Sequence, residues 1–212
     1  MTLTTVQRNT TTGTAAMKAI GATILAVLAA QALGAVAFIY SGVFNVAATD
    51  PHWHLTYAIL EATRVRSIKT QAWGVKPPPN LADHKRVVAG TSHFAEHCSS
   101  CHSAPGVESG ELAKGMYPQP PVLTDAASQW SSGELFWIIR NGIKMSGMPG
   151  WPDHSDEDIW NIVAFLRQLP GMSEKHYGNL VKESLEVGGH ATHGGPKADQ
   201  ECAPEHRAAG HC

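Results

Sequence analysis

The sequence predicts an all-α protein, with one long apolar helix and one amphipathic helix ahead of a small helical domain. Three observations carry this reading. Ala19 to Val43 is almost wholly apolar, with Gln31 its one strongly polar member. Residues 51–72 keep a helical rhythm, with Trp53, Tyr57 and Leu60 on one face and Leu55 and Ile59 beside it. Further on, Ser131 with Glu134, and Ser155 followed by Asp156, Glu157 and Asp158, are helix-start patterns that each open an apolar run.

The first segment, 1–18, is polar and rich in Thr, carries Arg8 and Lys18, and reads as a cytoplasmic N-terminus. The apolar run 19–43 exceeds the roughly 20 residues that span a bilayer core as helix, so it reads as a transmembrane anchor. A cleaved signal peptide is the alternative, since Ala35-Val36-Ala37 would suit its peptidase. Signal h-regions run only about 7–15 residues, however, and this stretch continues past Phe38-Ile39-Tyr40. Arg64, Arg66 and Lys69 follow soon afterwards, so flanking charge hardly orients the span.

Residues 44–82 hold the amphipathic helix and a linker. Asp50-Pro51 predicts the helix start, with Asp50 as N-cap and Pro51 in the first turn. Such a helix could lie on the membrane surface, dock on a partner subunit, or pack on its own domain. His52 and His54 flank Trp53 but diverge at i and i+2, which disfavours a shared metal. Pro77-Pro78-Pro79 ends the helix as a stiff spacer. The domain itself runs over 83–185, with helices expected from Val87 to His97, after Ser131, and after Ser155. Asn141-Gly142 and Pro170-Gly171 stop the last two.

Composition narrows the function. A chain of 212 residues allows one or two domains, and its net charge of -2 with no basic run argues against a nucleic-acid partner. The informative motif is Cys98-Ser-Ser-Cys101-His102, whose spacing matches covalent attachment of one c-type haem. Two thiols three positions apart can each bond a vinyl group of one porphyrin, and the adjacent histidine supplies a proximal axial nitrogen. A structural zinc site would need a second Cys or His pair, and 103–175 offers only His154. A thioredoxin-like pair would sit in a βαβ unit, and no such pattern surrounds this motif. Attachment requires an oxidising space such as the periplasm, which places residues 45–212 outside.

A second axial ligand is expected downstream. Gly142-Ile-Lys-Met145-Ser-Gly147-Met148-Pro149-Gly150-Trp151 offers two methionines in a Gly-rich loop, and a thioether ligand raises the potential of the iron. Lys114, Arg140 and Lys144 could border the haem and steer an acidic partner or pair with propionates, though solvated surface charge is the commoner role. Trp151 could reach a propionate through its indole N–H or simply pack. His93 and His97, at i and i+4, could chelate a metal on a helix face, or be packed or exposed histidines.

Together, Cys98-Ser-Ser-Cys101-His102 and Gly147-Met148-Pro149 with their flanking helices resemble a class I, single-haem cytochrome c over residues 84–175. The resemblance implies one covalent haem c with His102 as proximal and Met148 as distal ligand, Met145 being the runner-up. It also implies a crossing of the first and last domain helices at a glycine–aromatic contact, for which Gly90, Phe94 and Trp160 are candidates. A proline carbonyl would accept the proximal imidazole's other N–H, from Pro105, Pro120 or Pro121.

The tail, 186–212, lacks Leu, Ile and Phe and is expected to be disordered. His190, His193, Cys202, His206, His211 and Cys212 gather there, a set suited to copper or zinc. A solvated tail without ligand duty is the alternative, and Cys202 and Cys212 could equally form a disulfide or stay thiols.

The function these features predict is a membrane-anchored electron carrier, held by lipid through its N-terminal helix in the inner membrane, with the haem domain in the periplasm. It would take single electrons from a quinol-linked complex or periplasmic dehydrogenase and pass them to a terminal oxidase or reductase. With both axial positions filled it is not an enzyme by itself, although it could be the haem subunit of a larger oxidoreductase. The rival readings are a metal-handling or sensor protein using the tail, and a haem catalyst or gas sensor if neither methionine ligates.

Overall fold

The computed structural model describes residues 3–188, and the tail histidines and cysteines expected to bind metal lie outside them. The described residues form helices and turns without a strand, as the sequence predicts. The chain divides at Asp50/Pro51 into two compact units. The first is dominated by α1 (Leu3–Ser41), of which Gly13–Ser41 is long and apolar enough to cross a membrane. The second begins with α2 (His54–Gln71) and continues through α3 (His84–His93), α4 (Ser132–Asn141), α5 (Asp156–Gln168) and α6 (Glu174–Gly188).

α2 starts later than Asp50-Pro51 predicts. Asp50 accepts from the side chain of Asn45 at 3.0 Å instead of capping, and Trp53 precedes the first helical turn. The second half of α2 packs on α4, with Ile68 buried and Arg64 lying over the Trp130 ring at 5.5 Å. Its first half leaves Leu55, Tyr57 and Ile59 exposed. The Pro-rich spacer is also seated. A Cβ at Gly133 would meet the Val75 carbonyl oxygen at 2.4 Å, so the backbone entering the prolines lies directly on the start of α4.

The core forms where α3 crosses α5 and α6. Asp83 caps α3 by accepting from Lys85 N at 3.0 Å. Gly90 lies against the Asn161 backbone of α5, and Phe94 meets Phe165 at 4.8 Å and Tyr177 at 6.5 Å between ring centroids. Gly90 and Phe94 thus belong to the helix crossing, as the resemblance implies. Trp160 does not join them. It points about 100° away from Asn161 around the helix and stacks on Phe136 of α4 at 4.4 Å. Arg86 bonds Asn161 and Glu157 across the crossing.

Both expected caps are present. Ser131 accepts from Glu134 N at 3.2 Å while Glu134 accepts from Ser131 N at 2.7 Å, and Ser155 and Asp158 make the same exchange at 3.2 and 3.1 Å. α6 is an addition to the expected helices. Ser173 Oγ accepts from His176 N, and Tyr177 and Leu180 face the core. The helix continues to Gly188, so residues 186–188 are ordered in α6 where the sequence predicts the start of a disordered tail.

Candidate functional site

The attachment motif is presented by a change of helical pitch. α3 passes at Phe94–Cys98 into a π-helical turn, followed by a tight turn over Ser99–His102. A wider turn holds one extra residue per cycle and re-aims the side chains after it. Ser103 then takes a positive φ of 57°, and Ala104 and Val107 exchange backbone hydrogen bonds at 2.9 and 2.8 Å, closing the segment. Cys98 and Cys101 are free and half-buried on this turn. Burial, with Cys101 beside it, pushes the Cys98 thiol up to about 12. Thioredoxin-type pairs depend on a lowered thiol pKa, so this environment disfavours that competitor.

His102 is half-buried, and its Nδ1 lies 2.8 Å from the Pro121 carbonyl oxygen. The carbonyl can only accept, so Nδ1 carries the proton and Nε2 keeps its lone pair. Burial lowers the pKa of the ring, the Pro121 bond acting weakly the other way, and this favours the neutral form that binds metals. Of Pro105, Pro120 and Pro121, the fold brings Pro121 to the imidazole.

The methionine loop is held by its own backbone. α4 ends at Gly142, with φ 66°, whose N–H reaches the Ile138 carbonyl at 2.8 Å. A Cβ there would stand 2.5 Å from Gly150 N, so the two limbs of the loop touch at this glycine. Ile143 N donates to the Met148 carbonyl at 3.1 Å, and Trp151 N donates to that of Arg140 at 3.1 Å. Ser146 Oγ accepts from Met148 N at 3.2 Å. These bonds leave Met148 half-buried against the core, while Met145, with a positive φ of 60°, is 87% exposed. Met116, which the sequence pattern does not single out, puts its sulfur where a Gly147 Cβ would be 2.7 Å away. Its only sequence signal is the glycine opposite it.

The remaining candidates divide. Arg140 is engaged by the His154 carbonyl and, at 3.3 Å, by Asp156, so the fold uses it to hold the loop after Trp151. Lys114 borders a small recess with Cys101 and Pro120, and Lys144 is exposed. Trp151 packs on His97 and His154 at 5.2 and 4.9 Å between ring centroids. His93 and His97 are joined by His154, a grouping that sequence spacing does not suggest.

The donor set suits a c-type haem. An oriented neutral imidazole, two adjacent thiols and a packed thioether are the residues such a group needs. Val107, Leu112 and Val122 add exposed apolar side chains in the segments after the motif.

Comparison with known proteins agrees. Residues 85–166 match the family described as cytochrome c oxidase, cbb3-type, subunit III. The cbb3-type cytochrome c oxidase subunit CcoP of Rhodobacter capsulatus is 30% identical over 130 residues, 56% of this chain and 40% of that protein. A second CcoP sequence from R. capsulatus is 28% identical over the same shares. The chain therefore spans well under half the length of these relatives. Cytochrome cL of Methylophaga aminisulfidivorans MPT is similar over 52% of this chain and 70% of its own, with a TM-score of 0.34 and 21% identity. The attachment motif and the family match over 85–166 support a monohaem c-type cytochrome.

Proposed function

We propose that this cytochrome is a membrane-anchored carrier of single electrons, linking a quinol-oxidising complex or periplasmic dehydrogenase to a terminal oxidase or reductase. Gly13–Ser41 would anchor it in the inner membrane, with the haem domain in the periplasm, the side on which c-type attachment takes place. The observation that carries the reading is His102, set on the Pro121 carbonyl with its other nitrogen available beside Cys98 and Cys101. The similarity to CcoP, an oxidase subunit, supports a place as the haem subunit of a larger oxidoreductase.

Cys98 and Cys101 would hold the porphyrin through thioethers, and His102, through Nε2, and Met148, through its sulfur, would hold the iron. Bound there, haem c would supply one-electron cycling between Fe(III) and Fe(II), and a thioether ligand would raise its potential. Pro121 fixes the His102 tautomer and ring plane. Ser146, Gly142 and Gly150 fix the loop so that Met148 need not be reordered between oxidation states. If His102 and Met148 both held the iron, it would keep no position for substrate, and the chain alone would carry electrons rather than catalyse.

The test is optical. The oxidised holoprotein should show the methionine–iron charge-transfer absorption in the far red, Met148→Ala should lose it, and Met145→Ala should keep it. Rapid carbon monoxide binding by the reduced wild type would instead favour a catalyst or gas sensor. Loss of the band in Met145→Ala alone would move the distal ligand to Met145.

A further inference from the structure

We propose that His93, His97 and His154 form a second metal site, for one Zn(II) or Cu(II) ion, apart from the haem ligands and from the tail. One ring nitrogen from each lies within 4.8 Å of the other two. The three come from different places: His93 ends α3, His97 lies on the π-helical turn, and His154 precedes the Ser155 cap of α5. The π-helical turn and the Arg140 contact to the His154 carbonyl bring them together.

Chemistry and access both suit an ion of this class. Imidazole is the preferred ligand for zinc and copper, and three of them leave a position for water or a carboxylate. Zn–N bonds of about 2.0–2.1 Å put tetrahedral ligands roughly 3.3 Å apart. With all three nitrogens within 4.8 Å of one another, the cluster would need to close by no more than about 1.5 Å to reach this spacing. His93 is the fixed member, with its side chain 9% exposed, and His97, at 35%, can move. Asp158 Oδ1 lies 3.9 Å from His93 Nε2, placing a carboxylate charge at the edge of the cluster. Its other oxygen is held by Ser155, so this carboxylate is already oriented. Trp151 lies against His97 and His154 and walls one side.

An ion there would join the residue before Cys98 to the segment six residues beyond Met148. It would therefore clamp the two stretches that carry the proposed haem ligands, while touching none of them.

The test uses the full-length holoprotein in a background where His190, His193, His206 and His211 are Ala and Cys202 and Cys212 are Ser. Zn(II) titration followed by calorimetry should show one ion per chain. His97→Ala and His154→Ala, each in that background, should weaken binding by about 100-fold or more, the loss of a direct ligand exceeding that of an outer-shell partner. Cu(II) bound in place of zinc should show nitrogen hyperfine splitting from three imidazoles in its electron paramagnetic resonance spectrum. Zn(II) should also raise the Tm of the background protein but not that of His97→Ala. An unchanged haem spectrum and circular dichroism establish that each variant is folded; His97→Gln, at the exposed position, replaces any that is not. The site is overturned if the tail-substituted protein binds no Zn(II), or if His97 or His154 variants bind as tightly as their parent.

Discussion

At Gly90 an added methyl group would stand 1.9 Å from the Asn161 carbonyl oxygen, and the obstacle is backbone, which cannot swing aside. Gly90→Ala should therefore lower stability by about 3 kcal/mol, the upper end for overpacking, read as a large fall in Tm. Gly178 is the control. It lies inside α6 with nothing within 4 Å of an added Cβ, so Gly178→Ala should raise stability by about 0.5–1 kcal/mol through helix propensity alone. Gly142 differs from both, because it combines a φ of 66° with a 2.5 Å approach to Gly150 N. Alanine there opens the loop that seats Met148. Gly142→Ala should admit carbon monoxide to the reduced haem faster than wild type, while Gly178→Ala leaves that rate unchanged.

The helices show which signals act locally and which need the fold. Ser131 and Ser155 are readable as caps because the partners of a capping box lie three residues away, and both exchanges are present. Ser131→Ala should cost about 1 kcal/mol, and Ser131→Asn, another favoured cap, should recover much of it in a denaturant titration. The start of α2 departs from expectation for a related reason. Asp50-Pro51 fits a cap locally, but Asn45 competes for the carboxylate. α6 is not among the helices expected from the sequence, although Ser173 and the spacing of Tyr177, Leu180, Val181 and Ser184 suit one. The π-helical turn is not legible, since nothing in Phe-Ala-Glu-His-Cys specifies a wider pitch. The sequence pairs His93 with His97 by their spacing yet misses His154, which is distant in the chain and adjacent in space. Among the haem candidates the motif is fully legible, whereas separating Met148 from Met145 requires the loop's hydrogen bonds and exposure.

For the whole molecule the open choice is between an anchor and a cleaved leader, and helix length weighs on it. Gly13–Ser41 has 29 residues, which as α-helix extend about 44 Å. The hydrocarbon core is only about 30 Å thick, so the helix can span it with tilt and keep its ends in the headgroup layers. A leader peptidase cutting after Ala35-Val36-Ala37 would leave Phe38, Ile39 and Tyr40 at the new N-terminus, too short an apolar remnant to hold a membrane. The two fates differ in mass and in partitioning. As an anchor, the mature protein should have the mass of the whole chain plus one haem. It should stay with membranes through a high-salt wash and leave them only in detergent. Substituting Leu28, mid-span, with Arg should weaken insertion by about 3 kcal/mol without altering the haem spectrum of whatever protein is exported. A haem protein that lacks the first 37 residues and is released by salt alone would make the apolar segment a leader, and the carrier a soluble one.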